Sequence, residues 1–266
     1  MSSRTDDVPH TGGTLFDKEV SPIPAIAIST KAADLLKTAI AEGTTSIYVK
    51  TSCENRGEKQ SYSVIGEIKG SEKPEEIILI GGHLDSWDVG GGAHDDGAGC
   101  VQSMEVIYLL QKLNYKPKRT IRCVLFQNEE NGLAGGKEYA RVSNENKEFH
   151  LAAIESDAGG FSPRGFGFDA DTSVISKYIG FFKSWSELLE PYDLRIWKGG
   201  GGADIGPLKS QKGMLFGLSP DSQRYFDYHH TEIDRIETVH PRELALGSAA
   251  MTSLVYLIDK YGLTTP

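Results

Sequence analysis

Residues 81–99 read GGHLDSWDVGGGAHDDGAG, which sets two histidines and four aspartates among runs of glycine. Adjacent carboxylates in a cleft repel each other and need a counter-charge to stay ionised. Asp95-Asp96 is such a pair, although in isolation it would also serve as a turn or as the cap of a following helix. His83, taken alone after a strand, is more often structural than a ligand. Asp85 changes that reading, because a carboxylate that accepts the second ring N–H of a metal-binding imidazole fixes its tautomer, and His-x-Asp brings one close.

Three later stretches repeat the mixture: QNEEN at 127–131, ESDAGG at 155–160 and YHHTEID at 228–234. They add Glu129, Glu130, Asp157, His229 and His230. No cysteine stands among them, and oxygen and nitrogen donors without thiolate suit Zn²⁺, with Mn²⁺ or Co²⁺ next. A single catalytic zinc takes about three protein ligands and leaves a position open. Five ligands drawn from this set exceed that number and fit two metals that share a bridging carboxylate better.

The elements that must position these residues are legible in outline. IILIGGHLD (77–85), IRCVLFQNEE (121–130) and LAAIESDAGG (151–160) share one form, an apolar strand followed at once by polar or acidic residues. Between the first two, GCVQSMEVIYLLQKL carries helical apolar spacing. Helices are also expected at SVISKYIGFFKSWSELLE, whose aromatics read as core, and at PRELALGSAAMTSLVYLIDKY, where Pro241 suits the first turn. Strands alternating with helices make an α/β sheet, and such sheets collect ligands beyond the carboxyl ends of their strands. The acids sit at those ends.

The first fifty residues read as a small unit of their own. IPAIAIS (23–29) and SIYVKTS (46–52) have the look of short strands around a helix, STKAADLLKTAIAEG, capped by Ser29 or Thr30 and stopped at Gly43. A boundary is expected near residues 51–60, giving units 1–50 and 51–266. The chain has 266 residues and a formal net charge of -9, so nucleic acid and anionic membrane are poor partners. No apolar run approaches the roughly 20 residues that span a bilayer, and the N-terminus has no basic-then-apolar order of a secretory signal. Cys53, Cys100 and Cys123 suggest neither a disulfide framework nor a thiolate zinc site.

In their order, GGHLDSWDVGGGAHDDGAG, NEENGLAGG, ESDAGG and YHHTEID resemble the co-catalytic zinc aminopeptidases and dipeptidases, and among these the carboxypeptidase Q group. The likeness runs from about residue 60 to the C-terminal helix. It implies a mixed central β-sheet flanked by helices, the phosphorylase/hydrolase-like zinc exopeptidase fold, with residues 1–50 as the remnant of a protease-associated domain and a chain shortened at its front. Position by position, it implies that His83 and Asp157 bind one zinc, Glu130 and His230 the second, and that Asp95 bridges both. His230 rather than His229 is the ligand because Asp234 follows it by four. Glu129 takes the general-base place, with Asp85 beside it in the catalytic set and Asp96 in support, while His94 reads as a bystander.

The same resemblance implies two Zn²⁺ per chain, a peptide substrate with a free terminus, a secreted or periplasmic location, and a homodimer as one way to cover apolar surface. WKGGGGADIGPL (197–208) lacks the Lys-Ser/Thr ending of a phosphate loop and is read instead as a glycine-rich loop near the substrate, with Asp204 structural. Tyr228 is open between oxyanion support and packing. Two rival readings stand beside the exopeptidase: a single-zinc glutaminyl cyclase-like enzyme, and a non-catalytic binding module on the same fold.

Overall fold

The run Ile77–Ile80 is buried on both faces, as only an interior strand with helices above and below allows. In the computed structural model, which describes residues 7–262 apart from 16, 18, 22 and 55, it forms part of an inner strand of a seven-stranded sheet. In chain order the elements are α1 (Thr30–Glu42), β1 (Val64–Ile68), β2 (Lys73–His83), α2 (Ala98–Lys112), β3 (Arg119–Phe126), α3 (Ala134–Glu145), β4 (Phe149–Ser156), β5 (Pro163–Asp169), α4 (Ile175–Leu189), β6 (Arg195–Lys198), β7 (Met214–Pro220), α5 (Tyr225–Tyr228) and α6 (Pro241–Tyr261).

The strand order is β1-β3-β2-β4-β7-β5-β6. The inner four, β3, β2, β4 and β7, are mutually parallel, while β1 and β5 run antiparallel to their inner neighbours. The sheet is therefore mixed. Side chains alternate between two cores, as the two-residue period of a strand requires. Ile78, Ile80, Ile121, Ile154 and Phe216 pack with Val106 and Leu110 of α2, Trp185 of α4 and Met251 of α6. On the other face, Leu79, Val124, Phe126 and Ala153 meet Tyr139 of α3 and Leu208 of a short 3₁₀ helix, Gly206–Gln211. Parallel central strands direct their carboxyl ends to one edge, and that edge carries the acids.

The three long helices expected from apolar spacing form at α2, α4 and α6, with Pro241 in the first turn of the last. α1 also forms, its Ser29 hydroxyl accepting the Ala32 N–H at 3.0 Å. The two strands expected beside it do not: 23–29 and 46–52 join no ladder among the described residues, and Ile26, Ile28 and Ile47 are exposed. Their alternation suits a strand, but a strand needs a neighbour for its backbone hydrogen bonds, and no described segment supplies one. Among the described residues no helix is long and apolar enough to cross a membrane.

One buried polar group on β4 makes the fold sensitive to acid. His150 donates from Nδ1 to Gln211 Oε1 at 3.0 Å and accepts the Tyr139 hydroxyl at Nε2, 2.7 Å away. A neutral imidazole satisfies both partners, and burial pushes its pKa down to about 4. Above the ordinary histidine value of about 6.5 the ring is neutral in folded and unfolded chains alike, so its full contribution is present. As pH falls from there towards 4, only the unfolded chain takes up the proton, and stability is lost, by about 2 kcal/mol at pH 5. Denaturant titrations of the metal-free protein at pH 7 and pH 5 should therefore show a larger acid loss for the natural chain than for His150→Asn. Equal losses would contradict the assignment of a neutral, buried His150.

Candidate metal centre

β2 ends at His83, which lies opposite Phe126, the last residue of β3. The chain beyond β3 carries Glu129 and Glu130, the residue after β4 is Asp157, and the segment after β7 and α5 carries His229 and His230. Asp95 lies in the turn Ala93–Gly97 that precedes α2, where Asp95 and Asp96 leave helical backbone angles and are joined by a cis peptide bond. Parallel strands thus bring distant segments to one edge.

Two clusters result, and Asp95 belongs to both. His83 Nε2 lies 3.3 Å from Asp95 Oδ1 and 3.5 Å from Asp157 Oδ1. His230 Nε2 lies 3.2 Å from Asp95 Oδ2 and 3.2 Å from Glu130 Oε2. His229 Nε2 lies 3.6 Å from the same Asp95 oxygen and its ring stacks on that of His230, centroids 3.5 Å apart, so that His229 stands with Asp95 and His230 but makes no ion pair with Glu130 among the described contacts. All five residues expected as ligands therefore meet in one place.

Whether cations fit can be judged from the polar atoms themselves. His83 Nε2, Asp95 Oδ2, Glu130 Oε1 and Asp157 Oδ1 are buried without a hydrogen-bond partner. Orphaned lone pairs of this kind are costly unless something electropositive meets them. The local field asks for positive charge as well. Burial by itself would lower His230, yet the Asp95 and Glu130 carboxylates hold it up to about 10. His83 is likewise raised, against its burial, by Asp157 and Asp95. The donor set of nitrogen and carboxylate oxygen suits Zn²⁺.

Asp85 differs in detail from the expectation. The acceptor of His83 Nδ1–H is the Asp85 backbone carbonyl at 2.8 Å, while its carboxylate stands 3.7 Å from that nitrogen. The carboxylate instead accepts the backbone N–H groups of Glu129 (3.0 Å) and Glu130 (3.2 Å). The physical reason is reach: two residues after His83 the carbonyl already lies by the ring, leaving the side chain free to span to the turn after β3.

Two further aspartates work in the same way. Asp96 accepts the N–H groups of His83 (2.9 Å) and Gly99 (3.0 Å), and a Cβ on Gly82 or Gly99 would run into that carboxylate. Asp234 accepts the N–H groups of His94 (2.7 Å) and Asp95 (3.1 Å). In the sequence Asp234 is only a spacing mark for His230, and nothing local to it signals its hold on the Asp95 turn. His94 lies outside both clusters: buried, it accepts the Gly160 N–H at 3.1 Å and stacks on Phe161 with ring centroids 4.3 Å apart, tying down the loop after Asp157. Tyr228 also packs against that ring, centroids 5.1 Å apart.

Glu129 is half-buried, and burial, followed by the neighbouring Asp157 charge, pushes its carboxyl up to about 7. A carboxyl poised near neutrality is suited to taking and giving back a proton. Beside Asp157 opens a cleft of about 220 Å³ with Gly199, Gly200, Gly202 and Gly217 in its wall. Gly202 has φ +104° and a Cβ there would strike Glu155, whose carboxylate holds the Ala203 and Ile205 N–H groups. The glycine-rich loop is thus placed where backbone faces the cleft.

Residues 63–255 match peptidase family M28. The chain belongs to that family. Carboxypeptidase Q of Bos taurus is 32% identical over 254 residues, covering 94% of this chain and 52% of the relative. The crystal structure of a peptidase M28 precursor from Shewanella amazonensis SB2B superposes with a TM-score of 0.86 at 33% identity, over 100% of this chain and 60% of that one. A zinc aminopeptidase from Bacillus subtilis shares the fold, with a TM-score of 0.57 at 22% identity, over 73% of this chain and 49% of its own. This M28 chain spans about half the length of the curated relatives it matches.

The unequal approach of the two adjacent histidines can be tested in this M28 chain directly. In a competition titration against a zinc chelator, His230→Ala should weaken zinc binding at least about tenfold more than His229→Ala, since it removes the nitrogen that faces both Asp95 and Glu130. Equal losses in the two variants would contradict the assignment.

Proposed function

We propose that the chain is a two-zinc exopeptidase that hydrolyses the peptide bond of dipeptides or short peptides with a free terminus. The observation that supports this most is the position of Asp95. Its two oxygens face His83 and His230 separately, with Asp157 completing one cluster and Glu130 the other. His83 and Asp157 would hold one Zn²⁺, Glu130 and His230 the second, and Asp95 both.

Bound zinc supplies Lewis acidity, which lowers the proton affinity of water and polarises a peptide carbonyl. The chain's own part falls chiefly to Glu129. Its carboxylate takes a proton from the attacking water as the oxygen–carbon bond forms, and gives it to the leaving amine nitrogen as the carbon–nitrogen bond breaks. Asp85 positions this group by holding the Glu129 and Glu130 backbone, so that base and neighbouring ligand move as one. The glycine wall beside Asp157 lets substrate backbone come close.

Glu129→Ala should retain zinc while losing turnover of free dipeptides by roughly 10²–10⁴-fold, the usual contribution of a positioned acid–base group. The check is kcat on a panel of free and N-blocked dipeptides alongside the zinc content of the same samples. Undiminished kcat in a zinc-loaded variant would remove Glu129 from the base role.

A further inference from the structure

A metal-binding imidazole needs a partner on its other nitrogen, because that hydrogen bond fixes the tautomer and the ring's aim. For His83 the partner is local, the Asp85 carbonyl at 2.8 Å from Nδ1. For His230 it comes from the far end of the chain. Its Nδ1 lies 3.2 Å from the backbone carbonyl of Thr11, which can only accept, so Nδ1 carries the proton and Nε2 turns its lone pair to Asp95 and Glu130.

That contact is one of three. The Thr11 N–H donates to the His230 carbonyl at 2.9 Å, and His10 Nδ1–H donates to the His229 carbonyl at 2.8 Å. Residues 10 and 11 thus bind two consecutive residues of the ligand-bearing loop, on backbone and side chain together. The loop also departs from the common backbone conformations there: His230 has φ +57°, in the left-handed region that residues with a Cβ occupy far less often than glycine. The strap is itself anchored, since Ser29, the capping residue of α1, donates its hydroxyl to Asp7.

We propose that the segment around His10 and Thr11 is a working part of the metal centre, which positions His230 and so sets the zinc affinity of the Glu130–His230 side. It lies outside residues 63–255, the stretch matched to the family. The inference rests on the ligand assignment under Proposed function, and it makes the two zinc sites unequal in a defined way. The His83–Asp157 side carries its own orienting carbonyl and is independent of the strap. The Glu130–His230 side depends on it.

Zinc–chelator competition on the full chain and on single variants tests this without reference to turnover. Thr11→Pro deletes the N–H given to His230 and disturbs the carbonyl that follows. It should leave one zinc bound as in the natural chain and weaken the other by about 10–100-fold, the usual effect of removing a ligand's orienting partner. His10→Ala, a gentler change, should weaken the same site, and His10→Asn, which keeps a donor for the His229 carbonyl, should restore most of the loss. Thr14→Pro places the same restraint three residues further along and should change neither affinity. Two undisturbed zinc affinities in both Thr11→Pro and His10→Ala would overturn the proposal, as would equal weakening of both sites. If His230→Ala itself left both affinities intact, the ligand assignment would be at fault, and the proposal would fall with it.

Discussion

Three carboxylates, from Asp95, Glu130 and Asp157, converge on the inward nitrogens of His83 and His230 at the edge of a buried sheet, and this concentration of negative charge is what the surrounding structure has to serve. Left to protons, the site drags them onto the imidazoles, and it leaves oxygen and nitrogen atoms without hydrogen bonds. Divalent cations meet both demands at once. The sheet's topology follows suit, for only parallel neighbours deliver the ends of β2, β3 and β4 to the same place.

Holding these clustered side chains at such close quarters is the task of a second group of acids. Asp85, Asp96 and Asp234 each accept two backbone N–H groups, and between them they fasten His83, Asp95, Glu129 and Glu130. A charge-assisted bond from carboxylate to backbone is among the stronger neutral–ion contacts available to a loop. Asp96 thereby ties His83 to a turn 13 residues away, and Asp234 ties the Asp95 turn to a segment 140 residues further on. The His229–His230 loop also takes hydrogen bonds from His10 and Thr11, residues that precede the sheet altogether.

Much of this is legible in the amino-acid sequence. The crowding of acid and imidazole after apolar strands gives away the site, since a strand end bearing two carboxylates has few inexpensive explanations. The long helices α2, α4 and α6 are equally clear from their apolar spacing. What escapes is structure without a periodic signal. α3 begins AGGKEYA, with two glycines and a largely polar face, and β5 reads PRGFGFD, where proline and glycine break the strand pattern. The strands expected at 23–29 and 46–52 have the pattern but lack a neighbour. At the site itself, residue identity does not distinguish the Asp85 carbonyl from its carboxylate as the partner of His83. Nor does it show that Asp234 holds the Asp95 turn, because a hydrogen bond across 139 residues leaves no local trace.

The central claim, a pair of cations sharing Asp95, is tested most directly by zinc K-edge X-ray absorption on the zinc-loaded chain with its metal content measured in parallel. The account predicts two zinc ions per chain, nitrogen and oxygen neighbours only, and a zinc–zinc separation of roughly 3.5–4 Å. One zinc per chain with no metal–metal scattering, a sulfur neighbour, or no bound zinc at all would contradict it.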